Sequence, residues 1–507
     1  MTRPPAVDAL RARMAELSDL HSVSMLLFWD QQTMMPPAGA AARAERAATI
    51  ALVIHARESD PALGALLDKL EPWAAGEDPD ADDVRLIQWT RRDFEKSVRV
   101  PASLAAEMSK AKALGQQAWQ EARAANDFGR FRDALAHQID LRHRYVACFE
   151  GHDHPYDALL DDFEPGLTTA ELRPLLAELR DALVPLVAAA GDPEQERNDG
   201  AFYGPFTAEV QRVAVLDVLE GVGFDPDGWR LDPALHPFAS GFAPDDVRIT
   251  TKYDEQDFAV ALYSALHEFG HGLYEAAVDR HLFRTTLDDP ISLGVHESQS
   301  RMWENIIGRS RPFCAWLIPR LAETLPGALD GLDADSLYRA VNTIQPSLVR
   351  TEADETTYNL HIVLRFELEL ALTEGTLSVD DLPEAWDEGM QRLLGVEVPG
   401  AADGVLQDVH WSAGLLGYFP TYSLGNLIAA QLWDKLAEDI PDIDGLLERG
   451  EFAPVREWLR ENVHRHGRKF PQRELLRRAT GQDLRVEPFL RYLREKLADS
   501  GVLARTA

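Results

Sequence analysis

The stretch His267-Glu268-Phe269-Gly270-His271 constrains this chain more than any other. It lies in YSALHEFGHGLYEAAV, an apolar-rich run of helix formers without proline. On an α-helix, residues four apart share a face, so both imidazoles converge on one point with Glu268 beside them. Two histidines and a later carboxylate make a three-ligand zinc site with one position left open. Zinc draws the pKa of a water in that position towards ~7, and a neighbouring glutamate can take the proton. That is the chemistry of peptide-bond hydrolysis. The rival reading is two unrelated histidines on an ordinary helix. The helical context, the shared stripe and a second acidic helix downstream weigh against it.

The third ligand has to be a carboxylate outside this motif. The segment HESQSRMWEN offers Glu297 and, two turns on, Glu304. Glu297 follows His271 at a distance that admits a loop and a returning helix. Its neighbours His296 and Ser298 suggest a polar pocket wall. Glu297 is therefore the expected ligand, with Glu304 and His296 one layer behind it. A purely structural zinc site would normally be closed by four protein ligands, often cysteines. Here the two cysteines, Cys148 and Cys314, lie far from the motif in sequence.

Most of the remaining chain reads as helix after helix. Val7–Leu27, Ala41–Arg57, Ala81–Val98, Ala102–Ala124, Phe128–Glu150, Thr169–Ala190 and Thr207–Glu220 carry apolar residues at three- and four-residue spacing, separated by breakers such as Met35-Pro36-Pro37. Trp29-Asp30 before that double proline suggests a buried helix end turning a corner. Residues 191–204 are polar and rich in breakers, as in a linker or exposed loop. Val247–Tyr253 alternates and contains β-branched residues, so it predicts a strand, with a partner near Trp229–Leu231. A small sheet beside the histidine helix would suit a protease, because an edge strand can hold an extended peptide. Beyond it, Val295–Gly308, Arg311–Leu325, Asp335–Asn342, Ala353–Glu374 and Leu382–Leu394 again predict helices. Residues 400–426 are rich in Gly and aromatics and read as a functional loop. The expected fold is mainly α.

Arginines and aromatics supply the remaining candidates. Arg350 and Arg248 can each grip a substrate carboxylate through a bidentate fork, or each can be a structural ion pair, with Asp354 and Asp246 respectively. His236 and His410 can donate to a developing oxyanion or serve as satisfied structural histidines. Tyr418 and Tyr422, in the aromatic loop, can stabilise a tetrahedral intermediate or simply pack.

Composition narrows the partners. With 51 Lys plus Arg against 84 Asp plus Glu, the net charge is −33. Such a surplus repels nucleic-acid phosphates and anionic membranes, and most of it is expected on solvated helix faces. No apolar stretch reaches membrane-spanning length, and the first residues lack the apolar core of a signal peptide. The expectation is a reduced, cytoplasmic protein.

In order along the chain, LLFWDQQTMMPPAGAAAR, YDALLDDFEPG, HPF at 236–238, DVRIT at 246–250, HEFGH, HESQS at 296–300, VRTEAD at 349–354, GVLQDVHW at 404–411 and GYFPTYSLGN form a set far more specific than HExxH alone. Together they resemble the carboxypeptidase Taq family. The one difference noted, Val349 where the family more often has Ile, is conservative. The resemblance implies one catalytic unit over residues 1–507: a helical lobe to about residue 200, a metal-binding part to about 430, then C-terminal helices. It implies an elongated helical body with a deep groove, and frequent homodimers. It implies zinc, one ion per subunit, or cobalt, on His267, His271 and Glu297, with Glu268 as general base. The implied substrates are peptides, shortened one C-terminal residue at a time with broad specificity and poor action on proline. The family's arginine of the IRxxAD type falls on Arg350 as carboxylate clamp. Arg248, His236, His410 and Tyr422 are implied more loosely as groove residues or residues just behind them, with Tyr418 and Asp354 expected nearby. The alternative within enzymes is an oligopeptidase that cuts internally.

Overall fold

Why the histidine helix forms, and what it is pressed against, explains most of the architecture around the site. Helix Phe258–Ala276 starts where the Asp257 side chain accepts from Ala259 N at 2.9 Å, satisfying an otherwise orphaned amide. Leu262, Leu266 and Phe269 on its inner face are buried completely or nearly so. Gly272 replaces a side chain on a second face: a Cβ there would come within 2.7 Å of the Trp229 ring and 2.8 Å of Val247 Cγ1. The helix therefore lies directly on a sheet. The computed structural model describes residues 2–190 and 201–501.

That sheet has three strands, β1 (Trp229–Pro233), β2 (Ala239–Ala243) and β3 (Asp246–Thr251), in the order β1-β3-β2. β1 runs parallel to β3 in the register Trp229↔Val247 and Leu231↔Ile249, the pairing expected from sequence. β2 pairs antiparallel on the other side and was not anticipated. Its sequence, Ala-Ser-Gly-Phe-Ala, lacks the β-branched residues that mark strands.

Everything else in the described residues is helix and connection, as the periodicity implies. The first helix, Pro5–Thr33, overshoots its predicted end at Leu27 and stops short of the double proline at Pro36-Pro37. Near its end the buried Trp29 lies under Arg248 and Arg230, and Phe28 meets Phe238 edge-on at 5.2 Å. This helix is thereby tied to the sheet next to the site. A helix not foreseen, Pro61–Ala74, begins with its proline in the first turn, where the missing N–H costs nothing. Most of the buried apolar residues, from Val7 to Leu493, form one large cluster, with small separate ones around Leu104, Ala111 and Leu141 and around Ile344 and Leu497. Cys148 and Cys314 are both free thiols, and no helix among the described residues is long and apolar enough to cross a membrane. The stretch 191–200, expected as a linker, lies outside the described residues.

Two boundaries near the site differ from expectation. The predicted helix Val295–Gly308 is an α-helix only over Leu293–Arg301 and continues as a wider π-helical turn over Met302–Ile307. The predicted loop to residue 426 ends early, because helix Pro420–Asp439 again places its proline at the start. Tyr422 thus sits in a helical first turn rather than in a loop, with Tyr418 just ahead of it.

Candidate active site

The glutamate helix, Leu293–Arg301, is held between two others by contacts that leave no room for a side chain. On one side, a Cβ on Gly270 of the histidine helix would collide with Gln299 O and lie 2.7 Å from Ser300 Cα. On the other, a Cβ on Gly425 would lie 2.5 Å from Glu297 Cγ and 2.7 Å from its Cβ. Ser292 caps the helix by accepting from Val295 N at 3.1 Å. The backbone carrying Glu297 is therefore clamped. Gly425→Ala is expected to displace Glu297, weakening divalent-metal affinity by about 10–100-fold. Chelator competition on the folded variant measures this, and unchanged affinity would remove the contact from the argument.

So placed, His267, His271 and Glu297 each turn one ligand-type atom into a common space, all within 4.8 Å of one another. Nε2 of His267 and of His271 lie 3.6 and 3.5 Å from Glu297 Oε2. Nδ1 of His267 is 2.8 Å from Glu304 Oε2, which fixes the ring with Nε2 facing the common space. Two imidazole nitrogens and one carboxylate oxygen at such separations fit a divalent cation with an open position. Charge tells the same story. Burial disfavours a charged His267, yet Glu297 and Glu304 outweigh it and lift its pKa to about 9. Burial likewise opposes ionised Glu297 and Glu304, but Arg301 and the histidines hold both below the ordinary carboxylate range. Negative and positive groups thus stabilise one another across this space.

Glu268 is 5% exposed, and burial pushes its pKa up to about 8. His296 stacks on His271 at 4.2 Å between centroids, and its Nε2 lies 3.1 Å from Glu275 Oε1. His296 thus backs one of the imidazoles. Burial keeps the His271 pKa down, at about 4, so this ring is neutral and its lone pair is free for a cation.

A second cluster surrounds Arg350, which is buried in the short helical turn Arg350–Glu352. Its Nε and Nη2 donate to Asp408 Oδ1 at 3.1 and 2.8 Å, and its Nη1 donates to the Tyr358 hydroxyl at 2.9 Å. Arg365 Nε donates to the other oxygen of Asp408 at 2.7 Å. The expected alternative partner, Asp354, is not the one used. It caps helix Glu355–Glu374, accepting from Thr356 N and Thr357 N, and touches neither the cation site nor Arg350. Two guanidinium groups share one carboxylate, leaving a buried excess of one positive charge. The Tyr422 ring packs on Arg350 at 5.0 Å, and the Tyr422 hydroxyl lies 3.3 Å from His410 Nε2. Burial, outweighing Asp408, holds the His410 pKa near 4, so the ring is neutral at pH 7. Tyr418 packs on Tyr422 at 5.5 Å and on His410 at 5.2 Å.

Two candidates stand apart from these clusters. Arg248 forms the bidentate pair with Asp246, at 2.9 and 3.0 Å, and stacks on Trp29 and Phe242. His236 is exposed on the connection between β1 and β2. Conversely, Arg301, Tyr358, Arg365, Asp408 and Glu275 were missed. Arg301 was within reach of helix spacing, four residues after Glu297. Asp408, two residues before His410, carried no signal linking it to a residue 58 positions earlier.

Known proteins share this chain's sequence and fold along nearly its whole length. The model of the Carboxypeptidase Taq (M32) metallopeptidases matches residues 9–497. Thermostable carboxypeptidase 1 of Thermus thermophilus is 40% identical over 507 residues, covering 98% of this chain and 99% of that protein. Carboxypeptidase 1 of Bacillus subtilis is 38% identical over 474 residues, 94% of each. The crystal structure of an M32 carboxypeptidase from Deinococcus radiodurans superposes with a TM-score of 0.92 at 40% identity, over 98% of this chain and all of that one. Metallocarboxypeptidase 1 of Trypanosoma cruzi gives 0.92 at 32% identity, over 97% and 99%. A candidate cation site and a likeness running the length of the chain lead to one conclusion: this chain belongs to the carboxypeptidase Taq (M32) metallopeptidases, a family of metal-dependent carboxypeptidases.

Proposed function

We propose that the protein is a zinc carboxypeptidase that releases single C-terminal residues from peptides, with broad side-chain tolerance and poor action on proline. One ion per subunit, with cobalt as a competent substitute, would sit on His267, His271 and Glu297. The observation that carries this reading is the pairing of a cation site with a separate buried cluster that has one positive charge in excess. The first suits a scissile carbonyl, the second a terminal carboxylate.

When bound, the cation supplies Lewis-acid polarisation and a more acidic water. Arg350 binds the substrate's terminal carboxylate, using N–H donors left beyond those given to Asp408 and Tyr358. Glu268 accepts the proton of the attacking water and then delivers it to the leaving amine. Tyr422 or His410 donates to the developing oxyanion. Tyr418, packed on both, keeps that pair in place. β2, hydrogen-bonded along one side only within the sheet, offers a free edge for an extended peptide. Two free thiols support a reducing, cytoplasmic setting, and the family likeness supports a homodimer.

The test is amino-acid release from a free-acid peptide and its C-terminal amide, before and after chelation and with zinc restored. Sequential release from the free acid alone, lost on chelation and recovered with zinc, is expected. Internal fragments from both peptides would establish an oligopeptidase instead.

A further inference from the structure

The two oxygens of Glu297 have different surroundings. Oε2 faces the two histidines and also accepts from Ser300 Oγ at 3.1 Å. Oε1 is taken by Arg301, whose Nε donates to it at 2.7 Å. The same guanidinium reaches Glu304 Oε2 at 3.2 Å through Nη1, and Glu304 in turn holds His267 Nδ1. A closed ring results: His267, Glu297, Arg301, Glu304 and back to His267. Arg301 cannot easily leave it. Its side chain is only 13% exposed, and the guanidinium lies over the Tyr358 ring at 4.4 Å.

A carboxylate can offer a divalent cation one oxygen or two. With two histidines and a one-oxygen carboxylate the cation keeps a position open, whereas a two-oxygen carboxylate fills it. A charge-assisted bond to one oxygen decides between these modes. We propose that Arg301 is a positioning residue that reserves Oε1 of Glu297, so that Glu297 gives the cation a single oxygen and an open coordination position survives. This rests on the metallocarboxypeptidase reading above. Arg301 touches neither substrate nor cation; it acts through Glu297. Tyr358 extends the effect, since its ring supports Arg301 while its hydroxyl accepts from Arg350. The carboxylate clamp and the metal-side arginine thus lean on one phenol.

The experiment titrates Co²⁺ into chelator-treated parent, Arg301→Met and Arg301→Lys, following the visible cobalt bands, whose intensity reports coordination number. Zinc affinity by chelator competition, kcat/KM, and melting of the metal-free proteins complete the set. In Arg301→Met, Glu297 is free to close on the ion with both oxygens. The cobalt bands should weaken, zinc affinity should hold or tighten, and kcat/KM should fall by about 10–100-fold. Arg301→Lys keeps the charge without the fork and should lie between. If Arg301→Met does not fold, the lysine variant carries the test. Parent-like cobalt bands in a folded variant would overturn the proposal, even with activity lost, because a packing role explains that result. A parent that binds cobalt but cleaves no peptide would instead overturn the functional reading, leaving the coordination result to stand on its own.

Discussion

Glu268→Gln is expected to lower kcat by about 10²–10⁴-fold, the range supplied by a positioned acid–base group, with metal uptake unchanged. Glu268 is not among the three residues whose ligand atoms converge, so an isosteric amide leaves the cation's partners intact. It also exchanges a buried carboxyl for a neutral group of the same shape. No loss of stability is expected, because burial already disfavours the charged form. Initial rates on a free-acid peptide, with metal content measured on the same preparation, provide the check. Near-parental turnover would exclude Glu268 as the base. Loss of metal along with activity would move it into the ligand set.

The second large effect concerns substrate choice. Arg350→Met keeps the volume of the apolar stem but removes one of two guanidinium groups. Asp408 retains Arg365, so its buried charge keeps a partner and the cluster becomes neutral. Loss of a charge-assisted carboxylate contact costs about 2–5 kcal/mol, which is about 30- to 4,000-fold in kcat/KM on free-acid peptides. The amide never used that contact, so its slow cleavage should barely change. Discrimination between the two peptides collapses. Equal loss on both would mean that Arg350 only braces Asp408 and Tyr358.

How far these residues were legible follows from the range of their contacts. The histidine pair, its helix and the strand pairing β1–β3 depend on local periodicity, and Glu297 on the next helix along. Arg350 is different. Its predicted alternative partner was Asp354, four residues on. The turn instead ends at Ala353 in extended conformation, and Asp354 is committed to capping the next helix. Asp408 answers Arg350 across the fold, and no spacing rule reaches that far. Pro61 and Pro420 each stand in the first turn of a helix, where a residue that breaks helices elsewhere is tolerated. The π-helical turn after Arg301 leaves no periodic trace, yet it carries Glu304.

The two glycine contacts on either side of the glutamate helix bear on how this chain can diverge. With Glu297 as the proposed ligand, a backbone with no slack cannot be nudged by small steps. Drift that shifts the helix must alter Gly270 or Gly425 first, and each such change strains the backbone before any new chemistry appears. Adaptation to another ion is thus channelled into side chains around a fixed Glu297, chiefly Arg301 and Glu304. The scaffold is frozen where the electrostatics remain free to vary.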